Sequence, residues 1–400
     1  MSLSEPQRKL LSEFRDGRRT ALARVITLVE GERPGFEALL GELHAGLGRA
    51  HRIGITGPPG AGKSTLTARL AAAFRERGET VAIVAVDPTS PFTGGALLGD
   101  RIRMGEIALD PGVFIRSMAT RGSLGGLAVT TKEVTDVLDA FGFDRIVIET
   151  VGVGQSELDI AAAADSTAVV LVPESGDSIQ AMKAGLMEIA DLFVVNKSDR
   201  PGAERLAREV EMMLRLRSGR VKSRMPAHHG VDLRAAGARA AERRAAGSAG
   251  PGEGAPAEDR TTAAGAAGAA GRTSRAARDL RDPRGRSDAA ATDGAAGAGE
   301  PEGWTIPVLQ TVAEDGAGIE ELVGTFDRHR EWMAASGELA RRRRERLRGR
   351  VRDAVARDLA RVAWEERGGE AALEESLAAL EQGRESPYAA AARIVRAVVG

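Results

Sequence analysis

The segment from Gly57 to Thr65 constrains the fold of this chain more than any other feature. It reads Gly-Pro-Pro-Gly-Ala-Gly-Lys-Ser-Thr and matches the pattern G-x-x-x-x-G-K-[ST]. Glycines in this pattern let consecutive backbone N–H groups turn toward phosphate oxygens, the lysine reaches the β and γ phosphates, and the next hydroxyl reaches Mg²⁺. An apolar run at 51–56 precedes the segment and a helical pattern at 65–75 follows it, as the motif requires. The predicted phosphate-binding residues are Gly57, Pro58, Pro59, Gly60, Ala61, Gly62, Lys63, Ser64 and Thr65.

A second motif, Asn196-Lys197-Ser198-Asp199, follows the apolar run 192–195. An aspartate at the carboxyl end of a parallel strand can accept hydrogen bonds from the ring N–H and the exocyclic amine of guanine, whereas adenine offers no such pair of donors. Because a buried carboxylate without partners costs about 1 to 3 kcal/mol, the motif favours GTP over ATP. Four residues alone could equally be a turn that caps the next helix, but the phosphate-binding loop upstream favours Asn196, Lys197 and Asp199 as base-binding residues.

Short apolar runs alternate with helical stretches from residue 51 to about residue 200, and a further run lies at 307–309. This alternation is typical of a mostly parallel sheet with crossover helices. We therefore predict an α/β fold of the P-loop NTPase type. The expected strands lie at 51–56, 81–86, 113–115, 145–148, 168–172, 192–195 and 307–309.

The sequence divides into three regions. Helical apolar spacing over 1–50 predicts an N-terminal helical extension, the nucleotide-binding domain is expected over 51–330, and 331–400 is predicted to be a C-terminal helical arm. The arm carries a single apolar stripe that needs a second surface to cover it, so we expect it to form a homodimer. The arginine run at 341–344 is expected to be a solvated helix face rather than an anion-binding patch.

The nucleotide-binding domain is interrupted at about 217–302. From Ala235 to Glu300 the only large apolar side chain is Leu280. Such a composition cannot bury enough surface to offset the entropy of ordering the backbone. We therefore predict a disordered insertion rich in Ala, Gly and Arg.

Composition limits the classes of partner. The formal net charge is -1, so no overall field attracts nucleic acid or an anionic membrane. Cysteine is absent, which excludes disulfides and thiolate metal sites. Neither an N-terminal signal segment nor a run of about 18 uncharged apolar residues is evident. We expect a soluble cytoplasmic protein with no nucleic-acid and no membrane partner.

Several further residues are candidates for the chemistry. Glu149 and Gly152 lie at the end of an expected strand, where GTPases usually carry Asp-x-x-Gly; the carboxylate would hold Mg²⁺ and the glycine N–H would sense the γ-phosphate. Asp87 and Asp100 are candidates near the metal, although a lone aspartate is more often a helix cap or a turn residue. Gln155 is a candidate for positioning the attacking water.

Taken together, five segments closely resemble the MeaB/ArgK/MMAA family. Members of that family are P-loop GTPases, related to the metal-insertion GTPases, that act as chaperones for adenosylcobalamin-dependent acyl-CoA mutases, chiefly methylmalonyl-CoA mutase. The resemblance covers 20–215 and 303–400. The segments that carry it are 54–65, 86–91, 116–122, 149–157 and 196–199.

The resemblance implies roles for further residues. Asp87, Asp100 and Glu149 would help Ser64 to hold Mg²⁺. The segment from Asp177 to Lys183 would form an additional switch loop, with Asp177, Gln180 and Lys183 as its predicted functional residues. Thr311, Val312 and Ala313 stand where the family usually has a Ser-Ala pair behind the guanine, and the arm with Pro387-Tyr388 would make the homodimer. The long insertion is foreign to the family pattern.

The expected function is Mg²⁺-dependent hydrolysis of GTP, with Lys63, Glu149 and Gln155 as catalytic residues, in a chaperone that gates cofactor loading and protection of an acyl-CoA mutase. Two alternatives remain open. A metal-insertion GTPase of the same group would need Cys and His clusters, and this chain has no Cys and five His. A nucleotide-dependent kinase or transport ATPase would not need Asp199 to recognise guanine.

Overall fold

The computed structural model describes residues 3–87, 104–119, 129–150, 156–173, 185–217 and 303–399. By its internal contacts the chain divides into two units, Met1–Arg220 with Gly299–Gly400, and Val221–Ala298. Every described residue belongs to the first unit, so the architecture below is that of this unit. The predicted insertion lies outside the described residues, apart from Arg217 at the end of a helix.

The described residues form one sheet of seven strands, in which every neighbouring pair is parallel. Its strand order is β3-β2-β4-β1-β5-β6-β7. This arrangement confirms the predicted α/β fold; β1 has the predicted bounds, and the other six expected strands are present with different ends. The strands are β1 (His51–Thr56), β2 (Val81–Asp87), β3 (Val113–Ala119), β4 (Arg145–Thr150), β5 (Ser166–Leu171), β6 (Leu192–Asn196) and β7 (Val308–Thr311).

Helices cover both faces of the sheet, which is why the strands are nearly continuous apolar runs rather than alternating ones. No helix in the described ranges combines the length and the apolarity that crossing a bilayer requires. The helices are α1 (Glu5–Arg15), α2 (Arg19–Glu30), α3 (Phe36–Leu43), α4 (Lys63–Glu76), α5 (Val129–Phe141), α6 (Ser156–Ala163), α7 (Ala203–Arg217), α8 (Ile319–Ser336), α9 (Glu338–Arg361), α10 (Gly369–Glu381) and α11 (Pro387–Val399).

The two faces have separate cores. On one face, α1, α2 and α3 pack with α5 and α6 against β2 and β4, and Ile146 and Ile148 point into this layer. On the other face, α4 and α8 cover the sheet, and Val147 and Ile53 point toward them. A third cluster joins β5 and β6 to α7 on the first face. The predicted N-terminal extension is therefore a packed layer of the core, and its domain boundary stays a prediction.

Helix α9, at the start of the predicted arm, contacts the sheet domain through charged side chains. Arg342 donates to both carboxylate oxygens of Asp191 at 2.8 Å, and Arg343 and Arg346 pair with Asp165 at 3.2 and 2.7 Å. The expectation that the whole arginine run is a solvated face is thus wrong for Arg342 and Arg343. Both side chains point inward because two aspartates, which directly precede β5 and β6, lie beneath this helix.

The apolar stripe of α9 is about half exposed, and Leu347 and Val351 also line a cavity with Leu40 and Leu43 of α3. Leu347, Val351, Val355 and Leu359 are 48%, 63%, 51% and 60% exposed. No residue of α9 is buried. The stripe has the exposure that a dimerisation surface needs in the free chain, and the homodimer remains a prediction.

A hydrogen-bond chain runs along the amino edge of the sheet. Arg145 donates to His51 Nδ1 at 2.8 Å, His51 Nε2 lies 2.8 Å from Ser166 Oγ, and Ser166 Oγ lies 2.8 Å from His329 Nδ1. Because arginine can only donate, His51 Nδ1 must accept, which leaves its Nε2–H to donate to Ser166. The serine hydroxyl then donates to His329, whose Nε2 lies 3.5 Å from Asp191 Oδ1.

His51 and His329, the two histidines of this hydrogen-bond chain, are neutral in the folded protein at neutral pH. Burial lowers the pKa of His51 to about 3, and the positive charge of Arg145 acts in the same direction. Burial likewise lowers the pKa of His329 to about 4, although Asp191 opposes this shift. For Asp165, the attraction of Arg346 and Arg343 outweighs the effect of burial and lowers its pKa.

Candidate nucleotide-binding site

The phosphate-binding loop connects β1 to α4 and needs glycine at two positions. Gly57 has φ +138° and Gly62 has φ +83°, both in the region that side chains disfavour. A Cβ at Gly57 would collide with the carbonyl oxygen of Val170, and one at Gly62 would lie 2.5 Å from Asn196 Nδ2. The loop therefore lies directly against β5 on one side and against the end of β6 on the other.

Lys63 is the first residue of α4, and its side chain is buried. Its Nζ donates to the carbonyl oxygens of Gly57 at 2.8 Å and Pro58 at 3.0 Å. The ammonium group thus lies over the loop, beside the helix N-terminus, where backbone N–H groups and the helix dipole both favour an anion. This is the position that the sequence predicts for the lysine that contacts β and γ phosphates.

The structure brings together two of the four predicted metal ligands. Ser64 Oγ donates to Glu149 Oε1 at 2.6 Å, and the glutamate is buried at the end of β4, next to β1. A hydroxyl and a carboxylate are hard oxygen donors of the kind that Mg²⁺ prefers, so these residues fit that ion. Asp87 is the last residue of β2, which neighbours β4, so the backbone places it at the same edge of the sheet.

Asp100 lies outside the described residues, and so the full ligand set is not assembled in them. Within the described ranges, no group of three or more His, Cys, Asp or Glu is placed to hold a metal ion. The other predicted site residues outside these ranges are Gly152, Gln155, Asp177, Gln180 and Lys183.

Asn196 joins the phosphate loop to the turn after β7. Its Nδ2 donates to Ala61 O at 2.8 Å, and its Oδ1 accepts from Thr311 Oγ1 at 3.1 Å and from Ala313 N at 3.0 Å. These partners fix which amide atom is the donor. Backbone pairing adds to the junction, because Ser198 N donates to Thr311 O at 3.0 Å. The predicted base-binding segments at 196–199 and 311–313 are therefore in direct contact.

Lys197 has a left-handed backbone, with φ +57°, which is uncommon for a residue other than glycine. Its Nζ donates to Gly60 O at 3.0 Å and so lies across the phosphate loop. Strain of this kind persists where neighbouring contacts hold it, and it clusters at ligand sites. The sequence identified the residue, whereas its conformation is visible only in the structure.

A cavity of about 150 Å³ opens between these segments. Asp199 is exposed at its wall, as recognition of a bound base requires. The lining brings residues of the phosphate loop, β6 and the turn after β7 into one pocket. Its residues are Gly62, Thr65, Asn196, Lys197, Asp199, Arg200, Val312, Ala313 and Glu314.

Three residues of this pocket and its frame are absent from the sequence predictions: Arg200 and Glu314, which line the pocket, and Arg69, which contacts its frame. Arg69, one helical turn beyond Thr65 on α4, donates from Nε to Ala313 O at 3.1 Å and from its terminal nitrogen to Glu314 O. An arginine on an exposed helix face gives no sequence signal for this contact, because its partners are backbone carbonyls more than two hundred residues away.

Comparison with known proteins agrees with this geometry. The family model described as methylmalonyl Co-A mutase-associated GTPase MeaB matches residues 22–246 and 258–367. A Pyrococcus abyssi protein whose name includes the word GTPase is 38% identical over 393 residues, which is 98% of this chain and 97% of that protein. GTPase ArgK of Escherichia coli is 42% identical over 202 residues, covering 50% of this chain and 60% of that protein.

One further relative and one solved structure are also similar to this chain. The mitochondrial methylmalonic aciduria type A homolog of Caenorhabditis elegans is 42% identical over 206 residues, covering 48% of this chain and 52% of that protein. A crystal structure described as LAO/AO transport system kinase superposes with a TM-score of 0.58 at 21% identity and covers 100% of both chains, which shows a shared fold. The predicted P-loop fold is thereby confirmed, and the GTPase names of the family model and of the relatives support guanine-nucleotide binding. The chain belongs to the MeaB family of P-loop GTPases.

Proposed function

We propose that this protein hydrolyses GTP in a Mg²⁺-dependent reaction and that its nucleotide state gates cofactor loading on an adenosylcobalamin-dependent acyl-CoA mutase. The observation that carries the nucleotide-binding part is the position of Asn196. It contacts the phosphate loop at Ala61 and the turn after β7 at Ala313, so one site can hold both ends of a guanine nucleotide.

The residues at the phosphate end act by position and charge. Lys63 would exchange the carbonyl oxygens of Gly57 and Pro58 for β- and γ-phosphate oxygens, and the loop N–H groups would bind the remaining oxygens. Ser64 and Glu149, together with Asp87 and Asp100, would hold Mg²⁺, which would supply positive charge to stabilise the transferring phosphoryl group.

Hydrolysis of this kind needs no covalent enzyme intermediate, since the protein orients the attacking water and stabilises the charge that develops on the phosphoryl group. Gln155 is our proposed residue for orienting the water, and the N–H of Gly152 is the proposed γ-phosphate contact. Asp199 would accept two hydrogen bonds from guanine, which explains a preference for GTP over ATP.

The client is proposed from the comparisons. The matching family model is described as associated with methylmalonyl Co-A mutase, and the Caenorhabditis elegans relative carries a methylmalonic aciduria name. The segment containing Asp177, Gln180 and Lys183 would then be a switch that the mutase reads, and the exposed stripe on α9 would pair two copies in a cytoplasmic homodimer. A switch loop beside the γ-phosphate can couple hydrolysis to partner binding.

The test combines the purified protein with adenosylcobalamin-dependent acyl-CoA mutases encoded in the same genome. GTP turnover and cobalamin transfer are followed together, with Lys63→Ala as the hydrolysis-deficient control. Because coupling between two binding equilibria is reciprocal, the cognate mutase should change nucleotide affinity, and the nucleotide should change cofactor loading. If no mutase alters turnover or associates in a nucleotide-dependent way, the chaperone role is wrong, and the GTPase assignment is left in place.

A further inference from the structure

We propose that Arg69 is a positioning residue for guanine recognition, because it fixes the base-side turn to the helix that begins in the phosphate loop. The inference deepens the proposed function and rests on guanine binding in the cavity beside Asp199. It concerns a residue outside the sequence motifs.

The base-side turn comprises residues 312–317, between β7 and α8. Val312 N donates to Ala317 O and Gly316 N donates to Val312 O, each at 3.0 Å, so the turn is closed at its base. The turn leads into α8 through Gly318, whose φ is +78°. Gly318 lies so close to Gln310 that a Cβ at position 318 would collide with the Gln310 carbonyl oxygen. The tip of the turn comprises Ala313, which is buried, and Glu314 and Asp315, which are exposed.

Arg69 holds this tip from the outside. Its guanidinium donates to two successive carbonyls, Ala313 O at 3.1 Å from Nε and Glu314 O from the terminal nitrogen. A planar guanidinium presents such paired donors in a fixed geometry, which a single ammonium group cannot reproduce. Glu314 is exposed, so its backbone has few other restraints from the protein interior.

These contacts close a ring around the cavity. Asn196 is hydrogen-bonded to Ala61 in the phosphate loop and to Ala313 in the turn. Ala313 in turn accepts from Arg69, which belongs to α4, the helix that starts at the same phosphate loop. The ring sets the distance between the phosphate end and the base end of the site. Because the turn is already ordered in the free protein, nucleotide binding does not have to order it. Less conformational entropy is therefore lost on binding.

The contribution should be specific for guanine. A bound base can contact both the cavity wall at Ala313 and the Asp199 carboxylate only if the turn keeps Ala313 in this position. When the turn is free to move, hydrogen bonds to guanine are lost first, while phosphate contacts made by the loop and Lys63 remain. Adenine nucleotides, which depend mainly on the phosphate contacts, should be less affected.

The experiment compares Arg69→Ala and Arg69→Lys with Arg77→Ala as the matched control. Arg77 directly follows the same helix and pairs with Asp327 at 2.9 Å and with Glu320, both on α8 rather than on the base-side turn. Dissociation constants for GDP and ADP, the dissociation rate of GDP, and KM and kcat for GTP are measured for each variant, together with the melting temperature.

For Arg69→Ala we expect the Kd for GDP to rise roughly tenfold, mainly through faster dissociation, which corresponds to about 1.4 kcal/mol. The Kd for ADP should change less than about twofold, KM for GTP should rise, and kcat should fall by less than about twofold. Arg69→Lys should recover part of the GDP affinity, because one donor can still reach a carbonyl. Arg77→Ala should leave the ratio of GDP to ADP affinity at the wild-type value.

Two results would overturn the inference. Wild-type GDP affinity in Arg69→Ala would show that the turn does not need this contact. Equal weakening of GDP and ADP would show general damage to the phosphate-loop helix instead of loss of base positioning. A wild-type protein that binds GDP and ADP equally would contradict the proposed guanine recognition itself, so failure of the two proposals is distinguishable.

Discussion

The two edges of the sheet are built by different means. At the carboxyl edge, the candidate site consists of a glycine-containing loop, a left-handed lysine and hydrogen bonds to backbone carbonyls. At the amino edge, the buried aspartates Asp165 and Asp191 bind arginines of α9, and a chain of hydrogen bonds connects His51 to His329. The first arrangement places an exposed aspartate and a helix N-terminus beside a cavity, whereas the second pairs its buried carboxylates with arginines of the same chain.

This difference predicts that function and stability can be altered separately. Lys63 and Asp199 at the carboxyl edge should change nucleotide binding and turnover more than unfolding, because Lys63 donates to backbone carbonyls of its own loop and Asp199 is exposed. Residues at the amino edge should change the free energy of unfolding with little effect on nucleotide affinity, because their charges are buried and paired. Each of the following variants tests one side of this separation.

The largest effect is expected from Asp165→Ala. This aspartate is 0% exposed, pairs with Arg343 and Arg346, and accepts from the backbone N–H of Arg52 at 3.1 Å. Its removal leaves two arginines of α9 without their counterion, so the free energy of unfolding should fall by about 3 to 5 kcal/mol. Urea unfolding measures the loss, and GDP affinity should be unchanged.

Glu204→Ala is the control for Asp165→Ala. Glu204 pairs with Arg208 on α7, and both side chains are largely exposed. An exposed pair contributes about 0 to 1 kcal/mol, so its removal should be close to neutral. If Asp165→Ala were equally mild, the amino edge would not be held by its ion pairs.

Lys63→Ala should have the next largest effect, and it should change GTP turnover rather than the free energy of unfolding. Removing the ammonium beside Gly57 and Pro58 deletes a charge that would stabilise the transferring phosphoryl group, so turnover should fall at least about a hundredfold, or roughly 3 kcal/mol. The melting temperature should stay close to that of the wild type. Lys132→Ala, which removes a lysine paired with Asp353 at 3.1 Å, should hydrolyse GTP normally. Normal turnover by Lys63→Ala would disprove the phosphate-loop assignment.

Stability should also depend on pH through the buried histidines. The folded-state pKa values of His51 and His329 are lowered from 6.5 to about 3 and about 4. Between these values and 6.5 the unfolded chain binds protons that the folded chain does not, so stability is greatest above pH 6.5 and is lost as the pH falls. From pH 7 to pH 5.5 the expected loss for both histidines is about 2.5 kcal/mol.

Urea unfolding at a series of pH values measures this dependence, and His329→Gln should remove about half of it. The pKa of Glu133 is raised by burial and acts in the opposite direction at lower pH, which is why the measurement is confined to the range above pH 5.5. A free energy of unfolding that does not change between pH 7 and pH 5.5 would show that the histidines are not buried in their neutral form.

Much of the carboxyl edge could be predicted from the sequence, because local motifs encode it. Gly57, Gly62 and Lys63 belong to one continuous segment whose backbone geometry follows from its glycines. Strands buried on both faces are continuous apolar runs, and so their number and order of appearance were also predictable. The ends of strands were predicted less well: the apolar run ends at residue 195, whereas β6 ends at Asn196.

The amino edge could not be predicted in the same way. Asp165 and Asp191 each precede a strand and look like ordinary turn residues in the sequence. Whether Arg342 and Arg343 face solvent or these aspartates depends on how α9 packs, which the spacing of charges alone does not determine. The same limit applies to Arg69, whose partners are backbone carbonyls and therefore leave no trace in residue types.

The most direct test of the central claim is the preference of the site for guanine, measured by calorimetry with GDP and ADP on the wild type and on Asp199→Asn. We predict that the wild type binds GDP at least about tenfold more tightly than ADP, or about 1.4 kcal/mol, because only guanine offers two donors to the Asp199 carboxylate. Asp199→Asn should abolish that preference while keeping ADP affinity, since the phosphate loop is untouched. Equal affinities of the wild-type protein for GDP and ADP would contradict the claim that the carboxyl edge of this sheet is a guanine-nucleotide site.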